Sequence, residues 1–225
     1  MDEAEEPAYL KGRGAQINTP NRFLKTERVR EHIESIDDWT EPNEATQYLI
    51  ETAKGIVNKV ESPDLGMMYS MNPYQGCEHG CIYCYARNSF EFFGYSAGLD
   101  FERKIIVKQN APALFRKFLM NPKWECVPIS LSGNTDCYQP AEKKFHITRQ
   151  LLEVCLEFNQ PVAMITKNAG MLRDMDLLKK LAEKKLISIL VSITSFSEDL
   201  RRVMEPRTTT GVQRIKLIRE LSNQG

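Results

Sequence analysis

Val162-Ala163-Met164-Ile165-Thr166 and Ile187-Ser188-Ile189-Leu190-Val191-Ser192-Ile193 flank a segment in which Met175, Leu178, Leu181 and Ala182 share one helical face. Both flanking runs are apolar and rich in β-branched residues, the pattern of strands covered on both faces. A strand, a helix and a second strand with short connections predict a parallel pair joined by a right-handed crossover. The same unit recurs on either side. Upstream, Val127 to Leu131 reads as a strand ending at Ser132-Gly133-Asn134. A helix from about Thr148 follows, with Leu151, Leu152, Cys155 and Leu156 on one face, and stops before Pro161. Earlier still, Met67 to Asn72 reads as a strand closed by Pro73, and Lys104 to Lys108 as a further extended run. Asn110-Ala111-Pro112 predicts an N-cap before a helix striped by Leu114, Phe115, Phe118 and Leu119. Downstream, Ser197-Glu198-Asp199 opens a helix with an acidic first turn. Val212, Ile215, Ile218 and Leu221 predict a last helix that stops at Asn223-Gln224-Gly225.

Strand and helix repeated four times predict an α/β fold built on a parallel sheet. In such sheets reactive groups gather where strand C-termini open into loops, here residues 73–85, 132–140, 166–170 and 193–210. A fifth strand is expected where the sequence stops. The fold therefore reads as truncated to about four units, unless another chain or the N-terminal arm covers the last strand's edge.

The 225 residues carry 30 Lys+Arg and 30 Asp+Glu, a balance that argues against a general binder of phosphate backbones. Residues 1–60 hold 8 basic and 12 acidic groups, net −4, and residues 61–225 hold 22 and 18, net +4. We divide the chain into a partly irregular N-terminal arm, 1–60, and a core, 61–225. Residues 1–45 lack periodicity and read as a loose segment that drapes over the core or detaches from it. Ile56 to Val60 is a short β-prone run. Lys11-Gly12-Arg13-Gly14 reads either as a phosphate-contacting loop or as a solvated turn. The longest mostly apolar stretch, Leu186 to Phe196, is far short of the roughly 18–20 residues of a spanning helix. The acidic start Met1-Asp2-Glu3-Ala4-Glu5-Glu6-Pro7 is unlike a secretory signal. These features predict a cytoplasmic protein with no membrane contact and with its six cysteines reduced.

Three of those cysteines stand close together in Cys77-Glu78-His79-Gly80-Cys81-Ile82-Tyr83-Cys84. Spaced C-x3-C-x2-C on one loop at a strand end, they can converge on one inorganic centre. A four-iron cluster is usually held by four thiolates, so three leave one iron open to a small molecule. Zinc held by the three thiols and His79 is the competing arrangement. Zinc sites of that type usually pair C-x2-C with a distant second pair, and Cys126, Cys137 and Cys155 are scattered, so the spacing favours a cluster.

The motif, with Tyr83 as its aromatic residue, resembles the signature of radical S-adenosylmethionine (radical SAM) enzymes. The surrounding Ser70-Met71-Asn72-Pro73-Tyr74 and Tyr85-Ala86-Arg87 resemble the branch containing spore photoproduct lyase-related, DNA-repair-lyase-like proteins. Asn134-Thr135-Asp136, Tyr138-Gln139-Pro140, Thr166-Lys167 and Glu205-Pro206-Arg207 extend the likeness over about residues 11–225. The resemblance implies a partial (βα)6 barrel in which Cys77, Cys81 and Cys84 ligate a [4Fe-4S] cluster and Tyr83 borders the cofactor. Reductive cleavage of S-adenosyl-L-methionine at the open iron would give a 5′-deoxyadenosyl radical that takes hydrogen from a substrate. DNA is the substrate class the branch suggests, lyase chemistry the reaction, and flavodoxin or ferredoxin the kind of electron donor. The alternative is a non-catalytic iron–sulfur or zinc-binding interaction module, or a plain electron carrier.

Other cofactor contacts follow from position. Gly133, Asn134 and Asp136 occupy the loop that the family uses for the methionine amino group, although the usual Gly-Gly-Glu is absent; an Asx turn is the plain reading. Ser192 and Thr194 would face a ribose if Ile193 packs outward. Arg207 would pair with the methionine carboxylate, and Lys167 would steer an anion; a salt bridge and a solvated lysine are the respective alternatives. Lys143, Lys144 and Lys167 would build a local basic patch for nucleic acid. Cys137, at a catalytic-side strand end, would return hydrogen to a product radical or serve as a small buried hydrophobe. Cys155 reads as core, Cys126 has no role, and the isolated His32 and His146 read as structural or exposed.

Overall fold

The computed structural model describes residues 9–24, 45–62, 64 and 66–224; His32 and residues 1–8 and 25–44 of the arm lie outside these. The strands are β1 (Gln47–Glu51), β2 (Val57–Lys59), β3 (Tyr69–Met71), β4 (Tyr74–Gln75), β5 (Lys104–Lys108), β6 (Ile129–Leu131), β7 (Val162–Thr166) and β8 (Ile187–Val191). The helices are α1 (Arg87–Phe90), α2 (Leu99–Arg103), α3 (Ala111–Leu119), α4 (Glu142–Phe145), α5 (Ile147–Phe158), α6 (Met175–Glu183), α7 (Glu198–Met204) and α8 (Gly211–Ser222).

The main sheet has the order β2-β3-β6-β7-β8. β3, β6, β7 and β8 run parallel, with Ile129 opposite Val162 and Val162 opposite Ile187, while β2 pairs antiparallel with β3. The four parallel strands are the four expected from sequence. Their C-termini open at one end, where the connections to the following helices collect. β5 belongs elsewhere. It pairs parallel with β1 and antiparallel with β4 in a second, three-stranded sheet. Gln47–Glu51, inside the range read as a partly irregular arm, is thus a regular strand.

The core is formed where α3, α5 and α6 cover the main sheet. Phe115, Leu151, Leu152, Cys155, Leu178 and Leu181 meet Met71, Ile129, Leu131, Val162 and Met164, all buried. Each such side chain stabilises the fold by roughly 1.5–3 kcal/mol. β8 is the last strand of the sheet among the described residues. Its Ile187, Ile189 and Val191 line a shallow apolar cavity of about 350 Å³ with Leu178 and Ile218, so it is half-open rather than covered on both faces.

Two local details differ from expectation. Asn110 holds the N-cap position of α3 with Pro112 in the first turn, as expected, but its side chain makes no capping hydrogen bond; its amide brackets Ala53, accepting from the Ala53 N–H at 3.0 Å and donating to the Ala53 carbonyl at 2.9 Å. On α8 the stripe is displaced. Val212 and Ile218 are exposed and the buried positions are Gly211, Arg214 and Leu217, Arg214 because it finds a complete set of acceptors inside.

Candidate functional site

The cysteine loop follows β4 at the C-terminal side of the main sheet. It begins at Gly76 (φ 76°), where a Cβ would lie 2.6 Å from the Lys104 carbonyl oxygen, so only glycine fits. The Cys77 N–H donates to the Phe101 carbonyl at 2.8 Å. Buried Gln139 latches the next residues, accepting from the Glu78 N–H at 3.0 Å and donating to the Gly76 carbonyl at 3.1 Å. Arg87 Nε reaches the Cys81 carbonyl at 3.0 Å. Two contacts join the loop to the C-terminal end of α7 and the segment after it: Ile82 N–H to the Met204 carbonyl at 3.0 Å and Arg207 N–H to the His79 carbonyl at 3.3 Å.

Residues 11–17 cross this loop as a belt. Glu102, fully buried, accepts from the N–H groups of Gly14 (3.0 Å) and Ala15 (2.8 Å) and pairs with Arg87 at 2.6 Å. Arg13, also buried, donates to the Glu102 carbonyl at 2.8 Å. Lys11-Gly12-Arg13-Gly14 is therefore neither a solvated turn nor a loop with its arginine turned outward. Belt and loop enclose a cleft of about 580 Å³ that reaches Tyr83, Cys84 and Tyr85.

Both ring nitrogens of His79 are engaged by groups other than the thiols. Its Nδ1 lies 3.4 Å from Asp136 Oδ2 and its Nε2 lies 3.2 Å from Asn168 Nδ2. Asp136 also accepts from Thr166 Oγ1 at 2.8 Å and from the N–H groups of Lys167 and Tyr138, each at 2.8 Å. Burial opposes its charge, yet His79 and these N–H donors hold its carboxyl below the usual range. Asp136 thus braces the cysteine loop against the ends of β6 and β7. Asn134 is turned inward too, its amide donating to Gln75 Oε1 at 3.1 Å and Ser89 Oγ at 3.2 Å.

The remaining expected positions divide. The Gly133 carbonyl accepts the hydroxyl of exposed Tyr85, which sequence reasoning did not single out. Tyr83 donates to Glu205 and lies 3.0 Å from Thr194 Oγ1, which itself donates to Glu205 at 2.7 Å. The Lys167 ammonium stands 6.0 Å from the centre of the Tyr83 ring. Ser192 presents its carbonyl to Arg214 at 2.7 Å, just beyond the end of β8. Arg207 bridges the belt and the loop, donating to the Gly12 carbonyl at 3.1 Å and lying 3.7 Å from Glu78. Lys144 stacks over Tyr48 at 4.9 Å rather than standing free as part of a basic patch. Cys137 is fully buried in the main core, where burial first and nearby Asp136 second push its thiol far above its usual range.

The Radical SAM superfamily profile matches residues 71–225, starting on β3 and taking in the cysteine loop and all four strand ends. The chain belongs to the radical SAM superfamily. That superfamily uses a [4Fe-4S] cluster and S-adenosylmethionine. A protein of Mycobacterium tuberculosis, described only as uncharacterized, is 32% identical over 173 residues, 76% of this chain and 51% of its own length. One from Methanocaldococcus jannaschii is 31% identical over 77% of this chain and 61% of its own length. The chain thus spans about half to three-fifths of the curated relatives it matches. Spore photoproduct lyase has the same fold: a structure complexed with dinucleoside spore photoproduct aligns with TM-score 0.60 at 16% identity, over 86% of this chain and 54% of that one. A further lyase structure, with bound AdoMet and the dinucleoside, gives the same TM-score and coverage.

The radical SAM donor set suits an iron–sulfur cluster. All three thiols of the loop are free, Cys77 and Cys81 buried and Cys84 half-buried. Burial, with Asp136 and Cys81 nearby, pushes the Cys77 thiol well up; burial pushes Cys81 to about 12, partly offset by the charge of Lys167. Such thiols keep their protons at neutral pH until metal cations replace them. Among the described residues no three His, Cys, Asp or Glu side chains close around one metal ion. His79, the fourth donor that a zinc tetrahedron would need, has both ring nitrogens engaged by Asp136 and Asn168. A cluster spreads its thiolates over separate irons and does not require them to meet at one point.

Proposed function

We propose that this chain is a radical SAM enzyme whose Cys77, Cys81 and Cys84 hold three irons of a [4Fe-4S] cluster and leave the fourth for S-adenosylmethionine. One observation carries the reading: the superfamily match encloses a C-x3-C-x2-C loop set at the C-terminal end of the first parallel strand. When bound, the cluster and S-adenosylmethionine supply one-electron cleavage to methionine and a hydrogen-abstracting 5′-deoxyadenosyl radical. The chain's own residues hold and screen that chemistry. Gly76, Gln139 and Glu102 fix the loop; His79 and Asp136 tie it to the sheet. Tyr83, Thr194 and Lys167 form the wall beside it, with Lys167 placed to attract an anionic group of cofactor or substrate. Gly133 offers close backbone approach, and Ser192 and Arg207 flank the same side. Residues 61–225 make up the catalytic core, and residues 11–17 of the arm complete its outer wall.

For the substrate we propose nucleic acid and lyase-type repair, on the strength of the fold shared with a lyase solved with a dinucleoside photoproduct. Zero net charge fits a local contact better than a duplex-wide face. The electron donor we propose is a flavodoxin or ferredoxin, and the compartment the cytoplasm; no described helix is long and apolar enough to cross a membrane. The test is anaerobic reconstitution with iron and sulfide, followed by dithionite and S-adenosylmethionine. The expected product is 5′-deoxyadenosine, lost when Cys77, Cys81 and Cys84 are all changed to Ala. Stoichiometric zinc without iron, or a triple variant that binds iron as well as the parent, would overturn the reading.

A further inference from the structure

Tyr83 lies between two of the thiols proposed to bind the cluster, and almost half of it is exposed (45%). Such a ring would be free to swing were its hydroxyl not held, and the holding group is Glu205. That carboxylate is 2% exposed and meets donors on every side. The Tyr83 hydroxyl donates to it, as do Thr194 Oγ1 at 2.7 Å and Arg214 Nη2 at 2.8 Å. Arg214, 1% exposed, is fixed in turn by the Thr209 carbonyl at 2.8 Å and the Ser192 carbonyl at 2.7 Å. The loop after β8, the segment 204–209 and α8 therefore converge on one carboxylate, whose outward oxygen faces the tyrosine of the cysteine loop. A buried ion pair with all its hydrogen bonds made contributes little net stability against an apolar pair, but it fixes geometry. The Glu205–Arg214 pair fits that role, because its network reaches outward to Tyr83, which stands beside the metal-binding thiols.

We propose that Glu205 is a positioning residue that acts through Tyr83: it orients the ring so that this wall accepts S-adenosylmethionine, with Arg214 as its fixed counter-ion. The inference rests on the radical SAM reading for the identity of the ligand. It does not depend on that reading for the link between Glu205 and Tyr83. The test combines two readouts. In the metal-free protein labelled with ¹³C-tyrosine, the Tyr83 ring signal is assigned by its loss in Tyr83→Phe and followed in Glu205→Gln. In the reconstituted protein, S-adenosylmethionine affinity is measured for Glu205→Gln, Tyr83→Phe and the double variant.

The expected results are a displaced Tyr83 signal and affinity weakened about tenfold by either change, the scale of one hydrogen bond to a charged group. The double variant is expected to bind no more weakly than the weaker single one. Losses that multiply in the double variant would mean that Glu205 acts independently of Tyr83 and would overturn the inference. Thr194→Val leaves the Glu205–Arg214 pair whole and guards against a misfolded Glu205 variant; it should move the Tyr83 signal less, in the same direction. If no cluster forms, the enzyme reading fails. A Tyr83 signal unmoved by both Glu205→Gln and Thr194→Val overturns the positioning role whether or not iron is bound.

Discussion

Gly14→Ala tests the contact between belt and cysteine loop. A Cβ on residue 14 would stand 1.9 Å from the carbonyl oxygen of Gly80 and 3.0 Å from Ile82 Cγ2. An ordinary carbon–oxygen approach is about 3.3 Å, so belt or loop must retreat by roughly 1.4 Å. Neither is free to do so. The belt hangs on Glu102 through the N–H groups of Gly14 and Ala15, and Gly80, at φ 68°, is itself pressed against Glu102. Retreat breaks at least one hydrogen bond to the buried carboxylate, worth about 1.5–3 kcal/mol, and leaves residual overpacking. The expected cost is about 3 kcal/mol, or roughly 6–12 °C in Tm for a chain of this size. Displacement of the Gly80 carbonyl should also lower the iron retained after reconstitution. Thermal unfolding and iron content are the assays. Gly55→Ala, whose new methyl meets nothing within 4 Å, is the control and should leave both unchanged. A Gly14→Ala protein that melts within about a degree of the parent and holds full iron would refute the packing argument.

Cys137→Ala should cost about 1–2 kcal/mol, seen by denaturant unfolding, while 5′-deoxyadenosine forms at the parental rate; a folded variant that forms none would tie this thiol to S-adenosylmethionine cleavage itself. Gln139→Ala strands the Glu78 N–H and the Gly76 carbonyl, so stability should fall by about 2–3 kcal/mol and cluster content with it. Glu205 supplies a pH signature. Burial opposes its charge, but Tyr83, Thr194 and Arg214 hold its carboxyl below the usual range. A depressed folded-state pKa gives stability that is present above the unfolded-state value and lost as pH falls through the folded one. The stability gap between the parent and Glu205→Gln should therefore be widest near neutrality and close in acid; a gap that widens in acid would contradict the sign.

The parallel architecture was legible because Val162–Thr166 and the helical stripe after it repeat a pattern that only a crossover unit satisfies. The cysteine loop was legible for a different reason, since three thiols at that spacing have few other uses. Its supports were not. Glu102, Gln139 and Arg214 are buried polar side chains, and nothing local separates them from the solvated Glu, Gln and Arg around them; only distant backbone partners give them a place inside. β1 was hidden by the charged, aperiodic residues that precede it. Asp136 and Asn134 were correctly placed at a strand end, but position alone does not say which way a side chain turns. Of Glu205-Pro206-Arg207, the arginine drew notice as an anion partner, yet the glutamate faces the tyrosine of the cysteine loop.

The grip on Tyr83 has a consequence for maturation. Its anchor ends in Arg214 on α8, whereas the thiols beside it belong to the earlier part of the chain. A polypeptide still being synthesised offers all three sulfurs before the guanidinium that immobilises the adjoining ring has been made. Metal delivery can thus precede this latch, and a nascent chain that has not yet reached α8 has a site open to loading but not yet shaped for the nucleotide.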